Sequence, residues 1–321
     1  MVALKKRWDD HEVMVKWMQR FFQYLDRFYV EMNSITKLRD QGFKIFKEVL
    51  FKQIQENTTK AIVEVVDQQR KQLNCEVDDE LLKGVIKIYL TLSQDQLAHD
   101  GWLPRVNLEN ALIEQTKKFY ENRSREIMEN TSLIEYLKIA EGHLEQEREK
   151  AERVFTWSVS KDIIKNCKNE MLIKPMETLM HKGEGLKEFL KQNQYDNIKL
   201  MYKLYREEPD CIKPITQTYK DYIIETGKEM LKQVETQNQG GKPMQIKEIL
   251  DKSQIVTKLI DLLSNHLHIV NYCFEQNPSL EISRISGFEN FVNIEVGQYS
   301  IAEMLSNYSD QVLRKNGFKA D

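Results

Sequence analysis

Apolar residues recur three and four positions apart along almost the whole chain, which is the spacing of one face of an α-helix. Only 12 glycines and 6 prolines interrupt the 321 residues. Leu, Ile, Glu, Lys and Gln are frequent, and most of these lose little side-chain freedom in a helix. The pattern predicts about a dozen helices joined by short loops, with no convincing strand. We therefore predict an all-α fold, with helices stacked into an elongated rod whose layers contact mainly their neighbours.

The charge balance and the apolar runs limit the kinds of partner that we expect. The 47 Lys and Arg residues nearly offset the 50 Asp and Glu residues, which leaves a formal net charge of −3. No nucleic-acid partner is expected, because binding phosphates requires a basic surplus. No membrane contact is expected either: no apolar run approaches the roughly 20 residues that span a bilayer. The charged segment Met1–Asp10 does not resemble a signal peptide.

Residue types that bind metals or catalyse reactions are scattered through the sequence. The four cysteines show no CxxC spacing, and we interpret them as reduced thiols of a cytoplasmic and/or nuclear protein; they are Cys75, Cys167, Cys211 and Cys273. His266 and His268 lie two residues apart and therefore on different faces of a helix. No phosphate-binding glycine loop or nucleophile motif occurs. We predict no catalytic residue, no cofactor and no metal site, and we do not expect an enzyme.

One predicted helix, from His11 to Val30, has more apolar surface than a helix that rests on a single core. One arc contains Met14, Met18, Phe21, Phe22, Leu25 and Tyr29. If that arc packs inward, the neighbouring arc presents aromatic side chains with arginines at its edge, the types enriched at interface hot spots. We name this second set the aromatic strip; it comprises Val13, Trp17, Arg20, Tyr24, Arg27 and Phe28. It is the candidate binding site, unless it packs against neighbouring helices instead.

Three further patterns make local predictions. Ser132 and Glu135 have the spacing of a capping box, in which two side chains satisfy free backbone N–H groups at a helix start. The charge run that follows on the same helix is interpreted as a solvated outer face; it comprises Glu145, Glu147, Arg148, Glu149, Lys150, Glu152 and Arg153. Pro209 and Pro214 predict a turn, with a helix beginning at Ile215.

Several stretches, met in the same order along the chain, resemble the N-terminal region of cullins. Residues 24–27, Tyr-Leu-Asp-Arg, preceded by Trp-Asp-Asp-His at 8–11, are similar to the last helix of the first cullin repeat. Residues 136–141 resemble the second repeat, 196–204 the third, and 303–310 the segment that leads into the C-terminal half. These matches cover almost the whole chain. They are most similar to cullins of ligases built on a Skp-type adaptor and an F-box protein.

The resemblance implies a rod of stacked cullin repeats with a specific division. Residues 1–34 would be the last helix of the first repeat, 35–174 the second repeat and 175–298 the third, with 299–321 starting the segment towards the C-terminal domain. It also implies that the chain starts after the earlier helices of the first repeat. It further implies that the chain stops before the globular half that binds a RING-box protein.

The implied function is that of a scaffold arm of a cullin-RING ubiquitin ligase, contributing to ubiquitin-dependent protein degradation. Such an arm binds a Skp-type adaptor with its F-box protein at the N-terminal end, where Tyr24 and Arg27 match adaptor-contacting positions. A RING-box protein would be a partner only if a C-terminal half exists, so we expect no ligase activity from the chain alone. The alternative is a helical rod that tethers vesicles or binds proteins outside the ubiquitin system.

Overall fold

The helices of this protein belong to two compact units. The computed structural model describes residues 1–71, 78–94, 103–155, 159–181, 185–238, 247–293, 295–296, 299–301, 305–306 and 308–310. Unit 1 comprises Met1–Asn130 and Lys138–Lys174, and unit 2 comprises Thr131–Leu137 and Pro175–Asp321. The all-helical class predicted from the sequence is confirmed. The division into cullin repeats stays a prediction.

The helical elements follow one another with short connections. In the first half of the chain they are α1 (Val2–Phe21), α2 (Gln23–Met32), α3 (Leu38–Phe46), the π-helical turn π1 (Lys47–Phe51), α4 (Lys52–Arg70), α5 (Asp79–Leu92), α6 (Pro104–Asn130) and α7 (Leu133–Arg153). They continue with α8 (Val159–Lys168), the π-helical turn π2 (Asn169–Ile173), α9 (Met176–His181), α10 (Gly185–Lys191), α11 (Tyr195–Tyr205), α12 (Pro209–Asn238), α13 (Lys247–Tyr272) and α14 (Pro278–Val292).

A two-residue hairpin is the one extended element that the described residues contain. Strand β1 (Glu295–Val296) pairs antiparallel with β2 (Tyr299–Ser300). The final amphipathic helix that the sequence predicts, from Ile301 to Arg314, lies mostly outside the described residues. No described helix is both long and apolar enough to cross a bilayer.

Helix starts show how local sequence sets the boundaries. The Glu135 carboxylate accepts bonds from the Ser132 backbone N–H and hydroxyl at 3.1 and 3.0 Å, and the Glu135 N–H donates to Ser132 Oγ at 3.4 Å. The predicted capping box is thus confirmed. The predicted turn at Pro209 and Pro214 is wrong, because α12 begins at Pro209 and continues through Pro214. Pro214 removes one backbone bond in the second turn, and the burial of neighbouring side chains such as Ile215 offsets that loss.

Unit 1 buries a continuous apolar core. Its helix α1 packs against α3 and α5, and α6 packs against α4, α5 and α8. Aromatic side chains fill the centre: the rings of Phe51 and Tyr89 meet edge to face with centroids 4.9 Å apart. Burial of this kind stabilises a domain by about 25 cal/mol per Å² of apolar surface removed from water.

Unit 2 is held together by the pairing of α12 with α14. Gly227 of α12 allows the close approach, because a Cβ atom there would lie 2.5 Å from the ring of Phe291 in α14. Beside this contact, Tyr219 and Phe274 are buried with ring centroids 5.2 Å apart. His266 of α13 is also buried, and its Nδ1 lies 3.1 Å from the Tyr219 hydroxyl.

The buried His266 makes the stability of unit 2 depend on pH. Burial lowers the pKa of His266 from 6.5 to about 4, and the positive charge of Arg284 acts in the same direction. Since the unfolded chain binds this proton more readily, stability is complete above pH 6.5 and falls as the pH drops towards 4. We expect a loss of up to about 3 kcal/mol over that range. Urea unfolding at a series of pH values between 5 and 7 measures the part of this stability loss that occurs above the range where carboxylates titrate.

The matched variant is His266→Asn, which keeps a hydrogen-bond acceptor for Tyr219 but cannot take up a proton. Its stability should depend less on pH over the same range, with a remainder from His143, whose pKa is also lowered by burial. Equal pH dependence in both proteins would show that His266 is not the titrating group.

Candidate functional site

Helix α1 is attached to the rest of unit 1 along one of its sides. Leu4, Trp8 and Val15 are buried, and the Trp8 ring lies 5.1 Å from that of Phe43 and 5.0 Å from that of Phe46. These spacings are typical of favourable aromatic pairs. The buried side of α1 therefore holds the rest of the helix in place.

Two polar contacts add to this attachment. Nε2 of His11 lies 3.0 Å from the carbonyl oxygen of Gly42 in α3. In α2, the Asp26 carboxylate accepts a 2.9 Å hydrogen bond from the backbone N–H of Leu38, the first residue of α3. A carboxylate at a helix N-terminus interacts favourably with the helix dipole. Asp26 therefore links α2 to the same helix that anchors α1.

All six members of the aromatic strip are solvent-exposed in the structure. They lie along α1 and α2 rather than on one helix, because the predicted single helix from His11 to Val30 starts at Val2 and is interrupted at Phe22. Tyr24 is the most open of the four apolar members, with 76% of its surface accessible. The strip is available for contact with another molecule.

Neighbouring members of the strip contact one another. The rings of Tyr24 and Phe28 lie 4.6 Å apart. The guanidinium of Arg20 lies 5.2 Å from the ring centre of Trp17, and that of Arg27 lies 5.7 Å from the ring centre of Phe28. Cation–π contacts of this length contribute about 0.5–1 kcal/mol at exposed sites. The structure thus forms two clusters, one around Trp17 and one around Tyr24 and Phe28.

The expectation that the other arc packs inward is wrong. Each of its members is at least 44% exposed; they are Met14, Met18, Phe21, Phe22, Leu25 and Tyr29. The side of α1 that packs against α3 and α5 includes Leu4 and Trp8 instead. These two residues lie before the predicted helix from His11 to Val30, whose periodicity suggested the two arcs. The outward surface of α1 and α2 is therefore apolar over both arcs, wider than the strip alone. Wide apolar patches on a protein surface mark interaction sites.

Comparison with known proteins gives this surface a family context. The whole chain, residues 1–321, matches the family described as the cullin alpha solenoid domain. The chain belongs to the cullin family. This cullin chain is 28% identical over 320 residues to Cullin-1 of Oryza sativa subsp. japonica, an alignment that covers 98% of the chain and 42% of that relative.

Two further relatives give the same result. Cullin-2 of Arabidopsis thaliana is 26% identical over 316 residues, covering 98% of the chain and 42% of the relative. Cullin-3A of the same plant is 23% identical over 315 residues, covering 97% and 40%. The chain therefore spans about two fifths of the length of the curated relatives that it matches. Cullins are scaffold proteins rather than catalysts.

A buried ion pair in this cullin chain is the polar feature that sequence reasoning missed. Glu147 and Arg70 are buried, although Glu147 was assigned to a solvated face. Arg70 donates from Nε and Nη2 to the two Glu147 carboxylate oxygens at 2.7 and 3.2 Å. The Tyr120 hydroxyl donates to Glu147 Oε1 at 2.7 Å, and Arg70 Nη2 also donates to Thr116 Oγ1 at 2.8 Å. This network joins α4, α6 and α7 within unit 1.

The network sets the protonation of its members. Burial alone would raise the pKa of the Glu147 carboxyl, but the charge and hydrogen bond of Arg70 outweigh it and hold that pKa below its ordinary value. Burial lowers the pKa of the nearby Lys150 amine to about 8, so Lys150 is a second member of the charge run that is not solvated. One signal was available for Glu147: it lies three residues after Leu144 and four before Ala151, both apolar, and so on the apolar side of the helix.

The described residues contain no group of three or more His, Cys, Asp or Glu side chains arranged to hold a metal ion. His266 and His268 lie on different faces of α13, as the spacing predicts: His266 is buried, and His268 stacks on the exposed Tyr272 ring at 5.5 Å. Cys167, Cys211 and Cys273 are buried and form no disulfide. Cys75 lies outside the described residues.

Proposed function

We propose that this chain is a scaffold arm of a cullin-RING ubiquitin ligase and that it binds a Skp-type adaptor, with its F-box protein, through the aromatic strip. The supporting observation is that all six strip residues are exposed on α1, which packs against α3 and α5, and on α2, which follows it directly. A backbone that is already held in place does not have to be ordered when a partner binds, which lowers the cost of association. This is the arrangement expected of an interface hot spot.

The proposed role is geometric. A scaffold that holds a substrate receptor at a fixed distance from a ubiquitin-conjugating enzyme raises the effective concentration of the substrate lysine. The buried contacts of Trp8 and the bond from Leu38 to Asp26 suit this role, because they fix α1 and α2 to unit 1. If α1 and α2 were loosely attached, the position of a bound substrate receptor relative to unit 1 would not be fixed.

The test is direct binding of purified chain to a Skp-type adaptor bound to its F-box protein. The variant combining Tyr24→Ala and Arg27→Ala removes one aromatic anchor and one cation from the strip. We expect affinity to fall by about 30-fold or more, since a hot-spot truncation costs about 2 kcal/mol. Isothermal titration calorimetry of both proteins measures the difference.

The matched control combines Ile45→Ala and Val49→Ala, which remove exposed apolar side chains from α3 and π1. This control should bind as the unaltered chain does. Unchanged affinity in the Tyr24 and Arg27 variant would refute the assignment of the strip, and absence of any binding by the unaltered chain would refute the proposed function.

The proposal includes no ubiquitin transfer by the chain on its own. A reconstituted reaction with RING-box protein, conjugating enzyme and adaptor should give no substrate conjugation above a reaction without the chain. Product that depends on the chain would overturn this part. A cytoplasmic and/or nuclear location also belongs to the proposal, and the buried cysteines Cys167, Cys211 and Cys273, which form no disulfide, agree with a reducing compartment.

A further inference from the structure

A cavity of about 430 Å³ lies in unit 1 between the C-terminal end of α4 and one side of α6, with His143 of α7 beside it. Its volume is within the range of small-molecule sites, which is about 300–1,000 Å³. Six side chains that line it carry N–H donors; they are Arg70, Lys71, Gln115, Lys118, Asn122 and Arg123. We name this site the basic cavity.

The lining of the basic cavity has a surplus of positive charge. Among its described lining residues, four are lysines or arginines and two are carboxylates, Asp67 and Glu126. The Glu114 carboxylate, which pairs with Lys118 at 2.7 Å, does not line the cavity. A cleft lined mainly by one sign of charge attracts ligands of the other sign. The lining therefore favours a negatively charged ligand.

One buried donor at this cavity, Nη1 of Arg70, has no hydrogen-bond partner among the described residues. The Nε and Nη2 atoms of the same guanidinium donate to the Glu147 carboxylate. Because these two nitrogens share one edge of a planar group, Nη1 points away from Glu147. The ring centre of Phe119, which lines the cavity, lies 5.7 Å from the guanidinium carbon. A buried N–H without an acceptor is costly, so an acceptor is expected beside it.

A second cavity beside Arg70 is a poorer candidate for an anion. It has a volume of about 300 Å³ and lies on the Glu147 side of the guanidinium. Its lining includes three carboxylates, those of Asp79, Glu147 and Glu149. These would repel a negative ligand, and Nη1 points away from them. The unpartnered donor and the positive surplus thus coincide at the basic cavity.

The cations at the mouth of the basic cavity can turn towards a ligand. Lys118 pairs with Glu114 and Arg123 with Glu126, through side chains that are 39 to 69% exposed. Exposed ion pairs of this kind contribute little stability, so exchanging the carboxylate for a ligand oxygen costs little. The donors also approach from three helices and hence from several directions. This arrangement suits the tetrahedral oxygens of a phosphate better than a planar carboxylate.

We propose that the basic cavity binds a small phosphorylated molecule. Nη1 of Arg70 donates to a phosphate oxygen at the inner end of the cavity, and Lys118 and Arg123 pair with the phosphate charge at its mouth. The proposal does not depend on the aromatic strip, and its failure would leave the proposed function standing.

The test is isothermal titration calorimetry of the whole chain with diphosphate in a phosphate-free buffer. We expect saturable binding of one diphosphate per chain. The variant combining Lys118→Gln and Arg123→Gln should bind about 10-fold more weakly or worse, because it loses two charge-assisted hydrogen bonds. The control combining Lys117→Gln and Arg125→Gln removes the same charge from exposed positions of α6 outside the cavity. It should bind within about threefold of the unaltered chain, since solvent and salt screen distant charges.

The buried donor is tested by the variant combining Arg70→Met with Glu147→Leu, which leaves no unpaired charge in the core. Circular dichroism establishes that it is folded, and it should not bind diphosphate. In urea unfolding, diphosphate should raise the midpoint of the unaltered chain but not that of this variant, because a ligand that binds only the folded state stabilises it. Diphosphate binding by the folded variant with unchanged affinity would show that Arg70 is not part of a ligand site.

Two further outcomes would overturn the proposal. The first is the absence of saturable diphosphate binding by the unaltered chain. The second is equal weakening in the Lys117 and Arg125 control, which would show non-specific attraction to the surface of α6. Citrate is the second probe, because it carries carboxylates and no phosphate. We expect it to bind more weakly than diphosphate, and equal affinity would show that the assignment to phosphates is wrong.

Discussion

Replacing Glu147 with alanine should lower the free energy of unfolding of unit 1 by about 3–5 kcal/mol, the usual cost of removing one partner of a buried ion pair. The variant leaves the Arg70 guanidinium in the core without its carboxylate, and it removes the acceptor of the Tyr120 hydroxyl. Arg70 keeps a bond to Thr116, which cannot balance a full charge. Urea unfolding followed by far-UV circular dichroism measures the loss.

The control for this prediction lies five residues further along the same helix. Glu152 is exposed, so Glu152→Ala should change stability by less than about 0.5 kcal/mol. Losing a similar amount in both variants would mean that the cost arises from the helix and not from the ion pair. A second comparison combines Glu147→Leu with Arg70→Met, which should be more stable than Glu147→Ala because no unpaired charge remains in the core.

Glu147 also shows where sequence reasoning stops. A carboxylate within a run of charged residues is solvated in most helices, and periodicity alone cannot reveal a partner 77 positions away. Features that depend on nearby residues were predicted correctly. The capping box of Ser132 and Glu135 depends on residues three apart, and it was confirmed. The all-helical class was predictable for the same reason, since it depends on patterns repeated within each segment.

The orientation of the first helix was predicted less well. Apolar periodicity identifies which residues share a face, but it does not state which of two neighbouring apolar faces meets the core. In this protein neither predicted arc meets the core. The side of α1 that does meet it contains Trp8 and Val15, whereas Met14 and Phe21 are exposed. The strip residues are exposed, but the condition from which their exposure was argued, that the other arc packs inward, is not met.

Replacing Trp8 with alanine should be the most damaging single change in α1. Its ring is 98% buried against Phe43 and Phe46, and large-to-small changes of buried aromatic residues cost about 3–5 kcal/mol. Trp17 of the same helix is the matched comparison, because 58% of its surface is exposed. Trp17→Ala should change the free energy of unfolding by less than about 0.5 kcal/mol. Urea unfolding of both variants measures this difference.

Adaptor affinity should rank the two tryptophans in the opposite order when it is measured under conditions where both variants are folded. Trp17→Ala removes a strip side chain and the surface on which Arg20 rests, so we expect about 2 kcal/mol of lost binding free energy. Trp8→Ala leaves the strip side chains intact and should bind more tightly than Trp17→Ala once folded. If Trp8→Ala loses binding and Trp17→Ala does not, the contact surface lies on the body of unit 1 and not on the strip. The two variants thus distinguish the attachment of α1 to the rest of unit 1 from the binding of the adaptor by α1.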